Sequence, residues 1–221
     1  MKPTNTNTAT TTVAPIEFLW LGLYAFAGFA LEWLLSLVVN IFSKEPLNKN
    51  ITLLLTAILW LGAFSFLYLY TKKKFNFDIF TFKVHLSKDK LIFIGGLILI
   101  TIIITCFGFG GFKPWIEYHS LDKKLATYLL QVLYYFAESL LIVLTIALGQ
   151  HFFEEQFRLS AKLPSGGLFL ALTWGLMHFF LQGISGGFYA MFFALIAGTI
   201  YVVCKKDFPL SYLFIAIAFI L

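Results

Sequence analysis

The chain has 221 residues, 60% of them hydrophobic and only 12% charged, with 27 phenylalanines and a mean hydropathy of +0.87. This composition excludes an ordinary water-soluble domain and describes an integral membrane protein. The formal net charge of +5 calls for no nucleic-acid partner, because basic residues flanking membrane spans account for it.

Residues 1–14 form a polar, Thr-rich stretch expected to be a disordered tail. Residues 15–221 are expected to form one transmembrane helical domain, all-α and polytopic. The start has no compact basic region followed by a short apolar stretch and a small-residue cleavage site, so Ile16 onward reads as a retained first helix rather than a signal peptide. Apolar runs fall at about 16–43, 50–70, 91–110, 125–149, 167–182, 186–204 and 208–221. Most reach the roughly 20 residues needed to cross about 30 Å of hydrocarbon, while 167–182 and 208–221 are short. The expectation is seven spans, with six plus a re-entrant or interfacial tail as the alternative.

Loop charge gives the orientation. Lys72, Lys73, Lys74, Lys83, Lys88 and Lys90 fall on one side with Arg158, Lys162, Lys205 and Lys206 if the spans alternate. The other side holds Lys44, Lys49, Lys113, Lys123 and Lys124. The bias predicts a cell-membrane protein with a cytoplasmic N-terminus and an extracytoplasmic C-terminus. Cys106 and Cys204 sit at or within apolar runs and suggest neither a disulfide framework nor a thiol metal site. Paired glycines such as Gly95-Gly96, Gly166-Gly167 and Gly186-Gly187 read as helix caps, turns or points of close helix approach.

Ionisable side chains within the spans are Glu32, Glu138 and His178. Such groups are costly in hydrocarbon and are functional candidates by default. Glu138 lies about twelve residues before the end of one expected span, near Gln150, and His178 about eleven residues into the next, from Gly167. At about 1.5 Å of rise per residue these are depths of about 18 Å and about 17 Å from the shared loop, so the two side chains are level. A buried carboxyl can act as a general base where water reaches it, and a histidine can orient the same water. The competing reading is a pair of hydrogen-bonded core residues. Glu32 reads as a polar contact across to another helix. His151, Glu154, Glu155 and Arg158 follow the fourth run, where i,i+4 spacing allows the local pairs Glu154–Arg158 and His151–Glu155. No HExxH is present, and two ligands do not make a zinc site, so no metal or cofactor is expected.

The stretch EEQFR, followed by LTWGLMHFF and a glycine-containing span that ends in a basic turn, resembles the C-terminal half of the CPBP family of CAAX prenyl endopeptidases and bacteriocin-processing (Abi) proteins. The likeness covers roughly residues 125–221. The family's first motif is a Glu-Glu pair with an arginine three residues on, its second an aromatic residue four before a histidine, and its third a histidine four before an asparagine or aspartate. The resemblance implies an intramembrane glutamate protease in which the first glutamate and the second-motif histidine activate water. Trp174 and His178 match the second motif. With Arg158 in register, Glu154 takes the second acidic position and Phe153 the first; with Glu154 and Glu155 in register, Arg158 comes one residue early. The third motif is absent from KKDFPLSYLFIAIAFIL. Tyr212, Gln182 or a serine from another span is the expected substitute.

Two functions follow. One is hydrolysis of a peptide bond in a membrane-associated or lipid-modified substrate, with Glu138 or Glu154 as base and His178 on the water. The other is a catalytically degenerate protein of the same scaffold, acting as a bacteriocin-immunity, binding or regulatory partner. A small transporter is a third reading, weakened by the lack of inverted repeats. Membrane lipids are partners in every case.

Overall fold

Helix α6, Leu125–Phe157, is the axis around which the other helices are arranged, and from Leu141 to Leu148 hardly any of its surface is exposed. The computed structural model describes residues 13–43, 47–80, 85–121 and 123–221, so all but two residues of the expected tail, together with Lys44 and Lys83, lie outside the described residues. Helix α1, Pro15–Ala27, passes through a 3-10 turn at Gly28–Ala30 into α2, Leu31–Phe42. Then come α3, Lys49–Phe75, α4, Lys88–Phe109, and the short α5, Lys113–Ser120. After α6, α7 (Ser165–Leu170) continues through a π-helical segment, Ala171–Gly175, into α8 (Leu176–Val203), and α9 spans Phe208–Ile220. No strand occurs among the described residues.

Among the described residues, five helical segments are long and apolar enough to cross a membrane: Pro15–Phe42, Lys49–Phe75, Lys88–Ser120, Leu125–Phe157 and Ser165–Val203. Their outer faces carry large apolar side chains. Helix α2 buries no residue and exposes Trp33, Leu34, Leu37, Val38, Ile41 and Phe42. An apolar surface of this extent is stable against lipid and not against water.

The 39-residue segment Ser165–Val203 would be about 58 Å long if straight, nearly twice the hydrocarbon thickness. It is not straight. Gly183 has φ 75° and ψ −170°, backbone open essentially to glycine alone, and there the chain reverses. A Cβ on Gly187 would fall 2.2 Å from the Phe179 ring, one on Gly175 3.0 Å from the Met191 Cα, and one on Gly167 2.8 Å from the Gly198 Cα. Residues ever farther before Gly183 thus meet residues ever farther after it. The result is an antiparallel hairpin with limbs 165–182 and 184–203, which correspond to the two separate apolar runs of the sequence.

Small residues also set the contact of α1 with α6. The Phe169 ring wedges against Gly22 and Gly149, where a Cβ would lie 2.8 Å and 2.6 Å from ring atoms. By contrast Gly95 and Gly96 have open space where a side chain would be. That pair marks no close approach.

Four of the basic residues gather at one end of the bundle. Phe18, near the start of α1, packs on Phe75, Phe77 and His151, with ring centroids 5.9, 5.0 and 4.1 Å away. Phe80 meets Phe208 at 5.2 Å, so the segment after α3, the end of α6 and the turn before α9 lie together. Lys72, Arg158, Lys205 and Lys206 belong to these parts of the chain, as the loop-charge pattern implies. Lys72 pairs with Asp78 at 2.8 Å, and that ammonium holds the Asp78 carboxyl below the usual carboxylate range.

The structure moves one expected boundary. Helix α6 does not stop at Gln150 but continues to Phe157, because HFFEEQF contains no helix breaker before Arg158, which caps the helix in the left-handed region at φ 52°.

Candidate active site

A cavity of about 570 Å³ opens among helices α1 to α6, α9 and both limbs of the Gly183 hairpin. Glu138 and His178 both line it, with Glu32, Lys113, Gln131, Tyr134, Tyr135, Trp174, Gln182 and Tyr189 as the other polar or amphipathic groups. The remaining wall is apolar, including Phe26, Phe29, Trp33, Met177 and Leu181.

Glu138 comes from the middle of α6 and is 8% exposed. The Trp174 side chain and the charges of Glu32 and Lys113 are near enough to act on its carboxyl. Glu32 in turn accepts a hydrogen bond from the Tyr134 hydroxyl at 2.9 Å, which is the cross-helix contact expected of it. Glu32 therefore serves as both a structural bond and a cavity wall.

Trp174 also fixes the histidine. Nδ1 of His178 lies 2.7 Å from the Trp174 carbonyl oxygen, and the two rings pack at 4.1 Å. A carbonyl only accepts, so Nδ1 carries the hydrogen, and a neutral imidazole then presents the Nε2 lone pair. Trp174 occupies the π-helical segment, where the Leu176 N–H reaches the Ala171 carbonyl five residues back. Insertions of this kind recur at functional sites because they turn side chains away from the regular helical position.

Lys113 was not among the residues singled out by sequence. It follows the Gly110-Gly111 turn, whose φ values of 71° and 158° end α4 and let α5 start in a new direction. The side chain is 4% exposed. Its Nζ donates to the Phe219 carbonyl at 2.6 Å and sits 4.4, 4.8 and 5.8 Å from the ring centroids of Tyr135, Phe219 and Phe109. Expected as a loop charge, it is instead a cation inside the cavity wall.

Comparison with protein-family models, curated proteins and solved structures finds no match.

Glu154, Glu155 and Arg158 are not part of the cavity lining. Glu154 is 16 residues beyond Glu138 on the same helix, about 24 Å away along its axis. There it pairs with Lys206 at 2.5 Å and accepts from Gln150, whose amide also reaches the Leu163 carbonyl and the Gly166 N–H. This network ties the end of α6 to the following loop and to the turn before α9. Of the substitutes considered for the third motif, Gln182 lines the cavity, whereas the Tyr212 hydroxyl donates to the Phe136 carbonyl at 3.2 Å and Tyr212 is outside the lining. Among the described residues no three His, Cys, Asp or Glu side chains group closely enough to hold a metal ion.

Proposed function

We propose that this protein is an intramembrane hydrolase that cleaves peptide bonds of membrane-associated or lipid-modified polypeptides, with Glu138 as general base and His178 holding the nucleophilic water. The observation that carries this reading is the shared cavity: a buried carboxyl and an imidazole whose tautomer is set by the Trp174 carbonyl face one space large enough for a chain segment. The ionised Glu138 takes a proton from water while Nε2 of His178 accepts a hydrogen bond from its other O–H. The water oxygen adds to the amide carbonyl carbon and the π electrons move to the carbonyl oxygen. When the intermediate collapses, the C–N bond breaks and the Glu138 proton passes to the departing nitrogen. The products are a carboxyl and an amine, with neither cofactor nor covalent intermediate.

The apolar part of the cavity supports a lipid-modified or transmembrane substrate. The Trp174 and His178 spacing supports a divergent CPBP-like scaffold. The hairpin at Gly183 and the short α9 support seven spans, and the basic end supports a cytoplasmic N-terminus in the cell membrane with the C-terminus opposite. The cavity then lies in the extracytoplasmic half.

The test uses full-length protein in lipid nanodiscs, a degenerate library of N-dodecanoyl octapeptides and mass spectrometry of the products. The reading expects cleavage by wild type and at least a thousandfold loss in Glu138→Gln. Absence of wild-type cleavage, or cleavage retained by Glu138→Gln, overturns hydrolysis and favours a binding or regulatory protein.

A further inference from the structure

We infer that Lys113 is the electrophile of the site, holding the carbonyl oxygen of the scissile amide and neutralising the charge that develops there. This rests on the hydrolase reading and supplies what that reading lacks, an oxyanion-stabilising group.

Lys113 lines the same cavity as Glu138 and His178 but comes from a different helix, so it can approach a bound carbonyl from another side than the water. Its ammonium has three N–H donors, of which the Phe219 carbonyl takes one. Tyr135, Phe219 and Phe109 surround it with ring faces, which attract a cation without discharging it as a carboxylate would. Among the described residues no carboxylate forms an ion pair with it, although the charges of Glu117 and Glu138 reach it. A cation whose direct contacts are a neutral carbonyl and aromatic rings keeps N–H donors to pair with charge that appears during reaction. In a water-poor cavity such a preorganised charge acts far more strongly than it would in bulk water.

A second unspent donor lies in the same wall. Trp60, 1% exposed and lining the cavity, has an indole N–H with no hydrogen-bond partner among the described residues. It is suited to a neighbouring carbonyl of the bound chain. Together the two donors match a polypeptide backbone, which offers carbonyl oxygens in succession.

The competing role for Lys113 is structural, as a cap on the last turn of α9, where Phe219 lies. Kinetics separate the two. In nanodiscs with the dodecanoyl peptide library, Lys113→Gln is expected to lower kcat 100- to 1000-fold with KM within threefold, and Lys113→Arg, which keeps the charge, to recover at least tenfold of the loss. Unchanged kcat, a loss carried by KM alone, or Lys113→Arg no better than Lys113→Gln overturns the inference. Trp fluorescence titrated with dodecylphosphonate, a tetrahedral anion, and with dodecanol tests Lys113 without turnover. Lys113→Gln is expected to bind the phosphonate at least tenfold more weakly and the alcohol as wild type does. Equal phosphonate binding by wild type and Lys113→Gln overturns the inference even where cleavage is seen. Phosphonate binding lost in the variant, with no cleavage by wild type, removes the hydrolase reading and leaves Lys113 as the anion-holding group.

Discussion

The His178 ring bonds through Nδ1 to the carbonyl of Trp174, one helical turn earlier, and the Trp174 side chain lines the same cavity as the carboxyl of Glu138 on another helix. One residue thereby sets the tautomer of the imidazole and forms the wall beside the carboxyl. Replacing Trp174 by Phe keeps a ring against His178 and leaves the backbone carbonyl in place, but removes the indole N–H from the wall beside Glu138. A contact of that N–H with the reacting carboxyl would be worth about 1–2 kcal/mol, so kcat is expected to fall about 5- to 30-fold with the fold retained. Steady-state kinetics on the peptide library check this, and unchanged turnover would remove Trp174 from the mechanism.

Glu154 provides the contrast. As it lies about 24 Å from Glu138 along α6 and is paired with Lys206, Glu154→Gln is expected to leave cleavage within twofold of wild type. It should lower unfolding stability by about 1–2 kcal/mol, because the pair is only partly exposed and Gln150 loses a charged acceptor. Thermal unfolding in detergent together with the cleavage assay measures both. A thousandfold loss of activity would return the base to Glu154.

The reversal at Gly183 has its own signature. Any Cβ there meets a backbone conformation that costs about 1–3 kcal/mol, although the space around it is open. Gly183→Ala should therefore lower stability by that amount without a steric clash to relieve. A variant as stable as wild type would mean that residues 165–203 do not fold back at this position.

Asp78 offers a test of pH dependence outside the membrane. Lys72, the Phe80 N–H and the Tyr68 hydroxyl all favour its ionised form, so its folded-state pKa is depressed. A depressed carboxyl stabilises the fold above its unfolded pKa, and the contribution disappears as pH falls through the folded value. Asp78→Asn should unfold at a lower temperature than wild type at pH 7 and at the same temperature near pH 2. A difference that persists at the acidic end would show that the loop is not anchored by charge.

That Glu138 and His178 face one cavity was legible because helical rise is fixed and two consecutive spans share a loop, although the count ended α6 near Gln150, seven residues short of Phe157. The same counting separated Glu154 from this pair, which its likeness to a catalytic motif could not do. Lys113 was not legible. Loop-charge reasoning assigns a lysine after a glycine-rich turn to the water, and only the direction of α5 beneath the end of α9 reveals its burial. The signal was in GFGGFKPW, where a glycine turn and a proline at the start of the next helix mark a new direction within an apolar region. The Lys206 partner of Glu154, 52 residues away, was equally hidden, because local i,i+4 spacing pointed to Arg158 instead.

In the proposed mechanism Glu138 and His178 act on one water, and a high-resolution structure in lipid nanodiscs shows whether they do. The expected result is an ordered water within hydrogen-bonding distance of both the Glu138 carboxyl and the His178 Nε2, in a cavity open to a bound chain. Dry packing between the two side chains, or acyl chain filling the cavity with no water at either group, would contradict it.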